Sequence, residues 1–106
     1  MTGVTRIALV GLVLALAVPT IATAQASGQD TYKAKCAMCH GADGSASTGM
    51  GKSMGLKPLG SPEVQKMSDA DLTALITNGK GKMPAFKGKL TDAQISDVVK
   101  YVKTLK

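Results

Sequence analysis

The sequence predicts an all-α domain with three main helices, and three observations lead to that prediction. Two apolar stripes recur at the spacing of one helical face. The stripes consist of Leu72, Leu75 and Ile76, and of Ile95, Val98, Val99, Val102 and Leu105. Strict alternation of apolar and polar residues is absent, and the β-branched residues fall on the helical stripes. No strand is therefore predicted.

The first main helix is predicted over Gly28–Cys39, with Gly41 as its stop. Residues 41–62 are predicted to form a loop, because glycines interrupt any helical period there. A loop of this length is unusual in a compact domain unless it wraps another group. A short helix is predicted between Ser61 and Met67, beginning after Pro62.

Capping residues bound the other two main helices. Ser68, with Asp71 three residues later, predicts a capping box that opens the second main helix, and Gly79 ends that helix. Thr91 with Gln94 predicts the same arrangement at the start of the last helix. The segment between these two helices, residues 80–86, is predicted to be a loop.

The N-terminal segment has the pattern of a secretory signal. A short stretch ending in Arg6 precedes the apolar run Ile7–Val18, and small residues around Ala24 suit cleavage. The predicted signal peptide is 1–24, with cleavage after Ala26 as the alternative. The run is shorter than the ~20 residues that span a bilayer, although an uncleaved membrane anchor stays open.

Cleavage leaves residues 25–106 as one small domain. Its aromatic residues are two tyrosines and one phenylalanine, and the chain has no tryptophan. A chain this short has difficulty building an adequate core unaided, and small scaffolds usually need a disulfide, a metal or a cofactor. The composition is therefore consistent with a large apolar prosthetic group.

The segment Cys36-Ala37-Met38-Cys39-His40 carries the chemistry. In a helix its two thiols and its imidazole lie at i, i+3 and i+4, on one face. Each thiol can add across one vinyl group of a porphyrin, and the imidazole can reach the iron from one side. C-x-x-C-H is the signature of c-type haem attachment.

Other uses of two cysteines are less consistent with the rest of the sequence. A structural zinc site needs four Cys or His ligands, and the chain has two cysteines and one histidine in all. A thioredoxin-like dithiol belongs beside a βαβ pattern, which this sequence lacks. A Cys36–Cys39 dithiol or disulfide remains the alternative to haem attachment.

The whole predicted mature chain resembles a small class I cytochrome c of the single-haem bacterial type, similar to cytochromes c6 and c-553. Three segments carry the resemblance: Gly28-x-x-x-Tyr32-x-x-x-Cys36, Tyr101-Val102-x-x-Leu105 and the loop Gly79–Phe86. The resemblance implies a small cytochrome c fold, with three main helices and long loops wrapped around one haem c. That haem is expected to be covalent through Cys36 and Cys39, with His40 as an iron ligand.

Met83 is the predicted sixth ligand of the iron. It lies in a short loop between two helices, and Pro84 stiffens that loop. Met38 is tied inside the attachment motif, and Met67 is more consistent with core packing. The other two methionines of the mature chain, Met50 and Met54, lie in the loop on the histidine's side, if the family topology holds.

The sequence departs from the family at one position. Many relatives carry a proline after the histidine, and its carbonyl accepts the imidazole proton. In this chain that place corresponds to Gly49. A glycine carbonyl can make the same contact, but holds the ring less rigidly.

A six-coordinate iron predicts an electron carrier of the periplasm rather than an enzyme. The sequence offers no second histidine for acid–base chemistry and no carboxylate pair near the motif. Two alternatives stay open. One is a haem enzyme or gas sensor in which Met83 dissociates. The other is a membrane-anchored electron relay, if the N-terminal segment is not cleaved.

Charge indicates the kind of partner. The chain has 13 Lys and Arg against 7 Asp and Glu, a formal net charge of +6. Four lysines bracket Met83: Lys80, Lys82, Lys87 and Lys89. They predict redox partners with acidic docking surfaces, although a merely solvated surface would look the same. Nucleic acid is not expected for an exported chain with few aromatics, and the mature protein is expected to be a monomer without membrane insertion.

Overall fold

The computed structural model describes Gly3, residues 11–15 and residues 20–106. Residues 1–2, 4–10 and 16–19 of the predicted signal peptide, 1–24, therefore lie outside the described residues. Within those residues the chain forms six helices and no strand, which confirms the all-α prediction. They are α1 (Thr20–Lys35), α2 (Ala37–His40), α3 (Gly49–Ser53), α4 (Pro62–Gln65), α5 (Asp69–Asn78) and α6 (Asp92–Val102). None of these helices combines the length and apolar character needed to cross a bilayer.

The first and last helices pack closely against each other, as the resemblance implied. A Cβ atom on Gly28 would overlap the carbonyl oxygen of Asp97, so only glycine lets α1 approach α6 this closely. The rings of Tyr32 and Tyr101 lie 5.2 Å apart at an interplanar angle of 56°, a tilted aromatic pair. This helix pair forms the frame on which the remaining segments are placed.

The first helix differs from its prediction at both ends. It begins at Thr20 rather than Gly28, because no glycine or proline interrupts the segment between them. It ends at Lys35 rather than Cys39, because the φ angle of Cys36, −113°, departs from the value of about −63° that is usual in an α-helix. The Cys36 carbonyl then accepts from the amides of Cys39 and His40, which starts the separate short helix α2.

The predicted loop 41–62 contains one helix that the sequence did not predict. Thr48 caps α3 by accepting a hydrogen bond from the amide of Gly51 at 2.9 Å. Gly51 is buried and packs directly against backbone. The predicted short helix after Pro62 is confirmed as α4.

The predicted caps of α5 and α6 are present. The Ser68 side chain accepts from the Asp71 amide at 3.0 Å, but no reciprocal bond from the Asp71 carboxylate is found among the described residues. An aspartate is shorter than the glutamate or glutamine of a full capping box. At α6 the capping box is complete. The Thr91 hydroxyl accepts from the Gln94 amide at 3.1 Å, and the Gln94 side chain accepts from the Thr91 amide at 2.9 Å.

The core lies between α1, α5 and α6 and combines both predicted stripes. Leu75 and Leu105 are only partly buried, whereas the other six stripe residues are buried. The buried hydrophobic residues of the main cluster are Tyr32, Leu72, Ile76, Phe86, Leu90, Ile95, Val98, Val99 and Val102. One side of this cluster opens into a cleft.

Candidate haem-binding site

The two cysteines line the cleft at the junction of α1 and α2. Both are partly buried and neither is in a disulfide. Burial, and secondarily the neighbouring Cys39, raises the pKa of Cys36 to about 11. Cys36 therefore lacks the lowered pKa that is typical of a reactive redox thiol.

The cleft consists of two adjoining cavities with volumes of about 310 and 580 Å³. Six residues line both cavities: Cys36, His40, Leu56, Leu75, Lys80 and Met83. The smaller cavity reaches inward to the core residues Leu72, Val98 and Val99. The larger cavity extends along Met38, Cys39 and Pro84. The attachment motif and the loop of Met83 therefore border one largely apolar space.

His40 is partly buried beside that space. Burial lowers the pKa of its imidazole below the usual value, which favours the neutral ring that binds metals. Its Nδ1 atom is buried and has no hydrogen-bond partner among the described residues. A partly buried, neutral imidazole on the wall of this cleft is suited to bind a metal ion.

The Gly49 carbonyl accepts no hydrogen bond from the Nδ1 atom of this ring. Gly49 is the first residue of α3, so its carbonyl points along that helix instead. The sequence placed Gly49 at the family's proline position but left the hydrogen-bond partner of His40 open, and it did not predict α3.

Met83 is held by a tight turn at the mouth of the cleft. The Met83 amide donates to the Lys80 carbonyl at 3.0 Å, and the Lys80 amide donates to the Met83 carbonyl at 3.1 Å. The turn packs on Gly79, where an added Cβ would lie 2.6 Å from the Met83 carbonyl oxygen. Met83 thus reaches the same space as His40 from a constrained backbone.

The other methionines occupy different positions. Met38 is 76% exposed, and Met50 is 50% exposed with its Sδ 3.9 Å from the Cys39 Sγ. Met54 lines only the larger cavity, and Met67 lines only the smaller one. Met83 is the methionine that borders both.

Sequence analysis missed several residues that line the cleft, and two of them are Leu56 and Lys57. Leu56 borders both cavities, and Lys57 borders the smaller one. They lie in the glycine-rich segment, where no periodicity marks an inward-facing position. Leu75 was predicted as a stripe residue, and it lines the cleft instead of the closed core.

These features fit a covalently attached haem. The cleft is lined mainly by apolar side chains, which suits a porphyrin. Two thiols and a neutral imidazole lie on its wall, and a thioether borders the same space. The fold and this cleft define a small all-α protein of the c-type haem class.

Comparison with known proteins identifies the family. A family model described as "Cytochrome C oxidase, cbb3-type, subunit III" matches residues 23–102. Cytochrome c6 of Leptolyngbya boryana is 40% identical over 79 residues, covering 73% of this chain and 87% of that protein. Cytochrome c6 of Nostoc sp. is 34% identical over 108 residues, covering 96% and 92%. This chain belongs to the class I cytochrome c family.

Two further similarities extend the comparison. The c-type cytochrome KustC0563 superposes with a TM-score of 0.69 at 33% identity, covering 74% of this chain and 96% of that structure. The cbb3-type cytochrome c oxidase subunit CcoP of Azospirillum brasilense is 38% identical over 88 residues, which span only 30% of that protein. Family membership implies a c-type haem and the function of an electron carrier rather than an enzyme.

Proposed function

We propose that this protein is a periplasmic electron carrier with one haem c, attached through Cys36 and Cys39 and ligated axially by His40 and Met83. One observation carries the proposal: Cys36, His40 and Met83 border both cavities of a single apolar cleft. When bound, haem iron supplies one-electron redox chemistry, and a thioether ligand raises its potential.

The backbone around Met83 supports its role as a ligand. The turn from Lys80 to Met83 is closed by two backbone hydrogen bonds. Beyond it, the amide of Phe86 donates to the Ile76 carbonyl at 3.0 Å, which ties the segment back to α5. A ligand carried on a constrained segment is positioned before it binds, and this lowers the entropy lost on ligation.

Replacement of the ligand tests this assignment. Met83→Ala is expected to abolish the weak sulfur-to-iron charge-transfer band, and to lower the potential by part of the roughly 0.8 V that axial ligands span. It is also expected to admit carbon monoxide to the reduced protein. Met54→Ala is the matched control, because Met54 borders only the larger cavity. Loss of the band in Met54→Ala, with the band retained in Met83→Ala, would reverse the assignment.

Export is the second part of the proposal. Cleavage after Ala24 or Ala26 would shorten α1 so that it starts close to Gly28, which packs against α6. The mature protein is then residues 25–106 or 27–106. Intact-mass measurement after denaturation is expected to give this polypeptide plus one haem. A mass with Met1 retained, or without haem, would contradict the proposal.

The third part concerns the partner. The loop lysines are Lys80, Lys82, Lys87 and Lys89. All four are exposed, and none pairs with an acidic side chain in the part of the chain that the structure describes. Lys80 borders both cavities and Lys82 borders the larger one, while Lys87 and Lys89 follow Met83 in the same segment. We propose that these four lysines steer an acidic redox partner toward a monomeric carrier.

A further inference from the structure

The backbone on both sides of His40 is held by hydrogen bonds. The His40 amide donates to the Cys36 carbonyl at 3.0 Å, and the His40 carbonyl accepts from the Ala46 amide at 2.8 Å. On the preceding residue, the Cys39 carbonyl accepts from the Thr48 hydroxyl at 2.8 Å. The peptide group between Cys39 and His40 is therefore engaged at both its N–H and its C=O.

Thr48 supplies the one side-chain donor among these bonds. Its Oγ1 donates to the Cys39 carbonyl and also accepts from the Gly51 amide at 2.9 Å, so the hydroxyl is used in both directions. Gly51 packs on the same backbone, since an added Cβ would lie 2.6 Å from the Cys39 oxygen and 2.5 Å from the Ala46 oxygen. Helix α3 thus contacts the Cys39–His40 peptide through the hydroxyl of Thr48 and the Cα of Gly51.

The imidazole has no comparable hydrogen bond of its own. Its Nδ1 atom is buried without a partner among the described residues, and the Gly49 carbonyl belongs to α3. Because the Nδ1 atom makes no hydrogen bond, the direction of the His40 side chain depends on the backbone from which it extends. Among the hydrogen bonds that hold this backbone, the one from the Thr48 hydroxyl is the one that a side-chain substitution can remove.

We propose that Thr48 is a positioning residue for His40. Its hydroxyl fixes the Cys39–His40 peptide and thereby the direction in which the imidazole leaves the chain. This inference rests on the proposed role of His40 as an axial ligand. A residue that only capped α3 would contribute to stability but would not alter the orientation of the ring.

The test compares two threonine N-caps in the haem-loaded protein. Thr48→Val removes the hydroxyl at nearly constant volume. Thr91→Val is the matched control, because Thr91 caps α6 by accepting from the Gln94 amide and lines neither cavity. Loss of a threonine cap lowers the folding equilibrium constant by roughly fivefold, or about 1 kcal/mol, which urea unfolding measures for both variants.

The distinguishing readouts are the proton resonances of the His40 ring in the oxidised protein and the midpoint potential. Thr48→Val is expected to shift both, Thr48→Ser to restore both, and Thr91→Val to leave both at wild-type values. Wild-type resonances and potential in Thr48→Val, with stability reduced, would show that Thr48 is only a helix cap and would overturn the proposal.

Two further outcomes are informative. If Thr48→Val does not fold, the wild-type reduced protein is examined by NMR for a Thr48 hydroxyl proton protected from solvent exchange. Protection supports the contact with the Cys39 carbonyl, and its absence overturns the proposal. If the His40 ring protons of the wild type carry no shift from the iron, the proposed axial ligation by His40 is wrong. An unaffected Thr48→Val variant, by contrast, would contradict only the positioning role of Thr48.

Discussion

Substitution of Gly79 by alanine should destabilise the protein severely, because this residue combines two constraints. Its backbone lies at φ 74° and ψ 172°, a region open essentially only to glycine, and other residues lose ~1–3 kcal/mol there. An added Cβ would also meet the Met83 oxygen at 2.6 Å and the Ala85 nitrogen at 2.8 Å. Neither atom belongs to a flexible side chain, so the segment must shift, at a further ~1–3 kcal/mol.

Urea unfolding of the haem-loaded protein measures this loss, which we expect to be about 3 kcal/mol or more. Gly81→Ala is the matched control in the same turn. Gly81 has φ 58°, but an added Cβ would meet nothing within 4 Å, so only the ~1–2 kcal/mol of left-handed strain applies. Gly79→Ala should also weaken the sulfur-to-iron band, because the displaced backbone carries Met83. Equal destabilisation of the two variants, with the band intact in both, would refute the argument.

Two other perturbations have defined outcomes. Replacing the loop lysines by glutamine should slow association with an acidic redox partner and make its rate less dependent on salt. Stopped-flow measurements at increasing ionic strength test this. A wild-type association rate that does not change with salt would show that the lysines form only a solvated surface. Tyr32→Phe should lower the free energy of unfolding by about 1 kcal/mol, because the Tyr32 hydroxyl donates to the Gly41 carbonyl at 2.6 Å. Burial raises the pKa of Tyr32 above its usual value, so its contribution is present below about pH 10 and is lost as the pH rises further. The variant should show a smaller alkaline loss of stability than the wild type, and an equal loss would contradict this account.

Local sequence patterns predicted the parts of the fold that local interactions specify. The caps at Ser68 and Thr91 depend on side chains within three residues of the amides they bind, so the sequence contains the whole interaction. The stripe of α6 follows from helical spacing alone. The spacing of Cys36, Cys39 and His40 likewise predicted that two thiols and an imidazole lie on one side of the chain, and all three line the larger cavity.

Helix α3 could not be predicted in this way. Its five residues include Gly49 and Gly51, which disfavour an isolated helix. Tertiary contacts stabilise it: the Thr48 hydroxyl and the Cα of Gly51 both contact the Cys39 carbonyl, which is distant in sequence. The same limit applies to Lys57, since its place at the cleft depends on how the glycine-rich segment folds back. Contacts between residues far apart in sequence produce no periodic pattern from which they could be predicted.

The segment that carries Met83 is closed at its base by bonds to a single helix. The amides of Phe86 and Lys87 donate to the Ile76 and Thr77 carbonyls of α5, at 3.0 and 3.1 Å. The contact between α1 and α6 at Gly28, Tyr32 and Tyr101 is formed by other residues. If Met83 is the ligand as proposed, a different residue at this position is expected to change the redox behaviour while the contact between α1 and α6 stays the same.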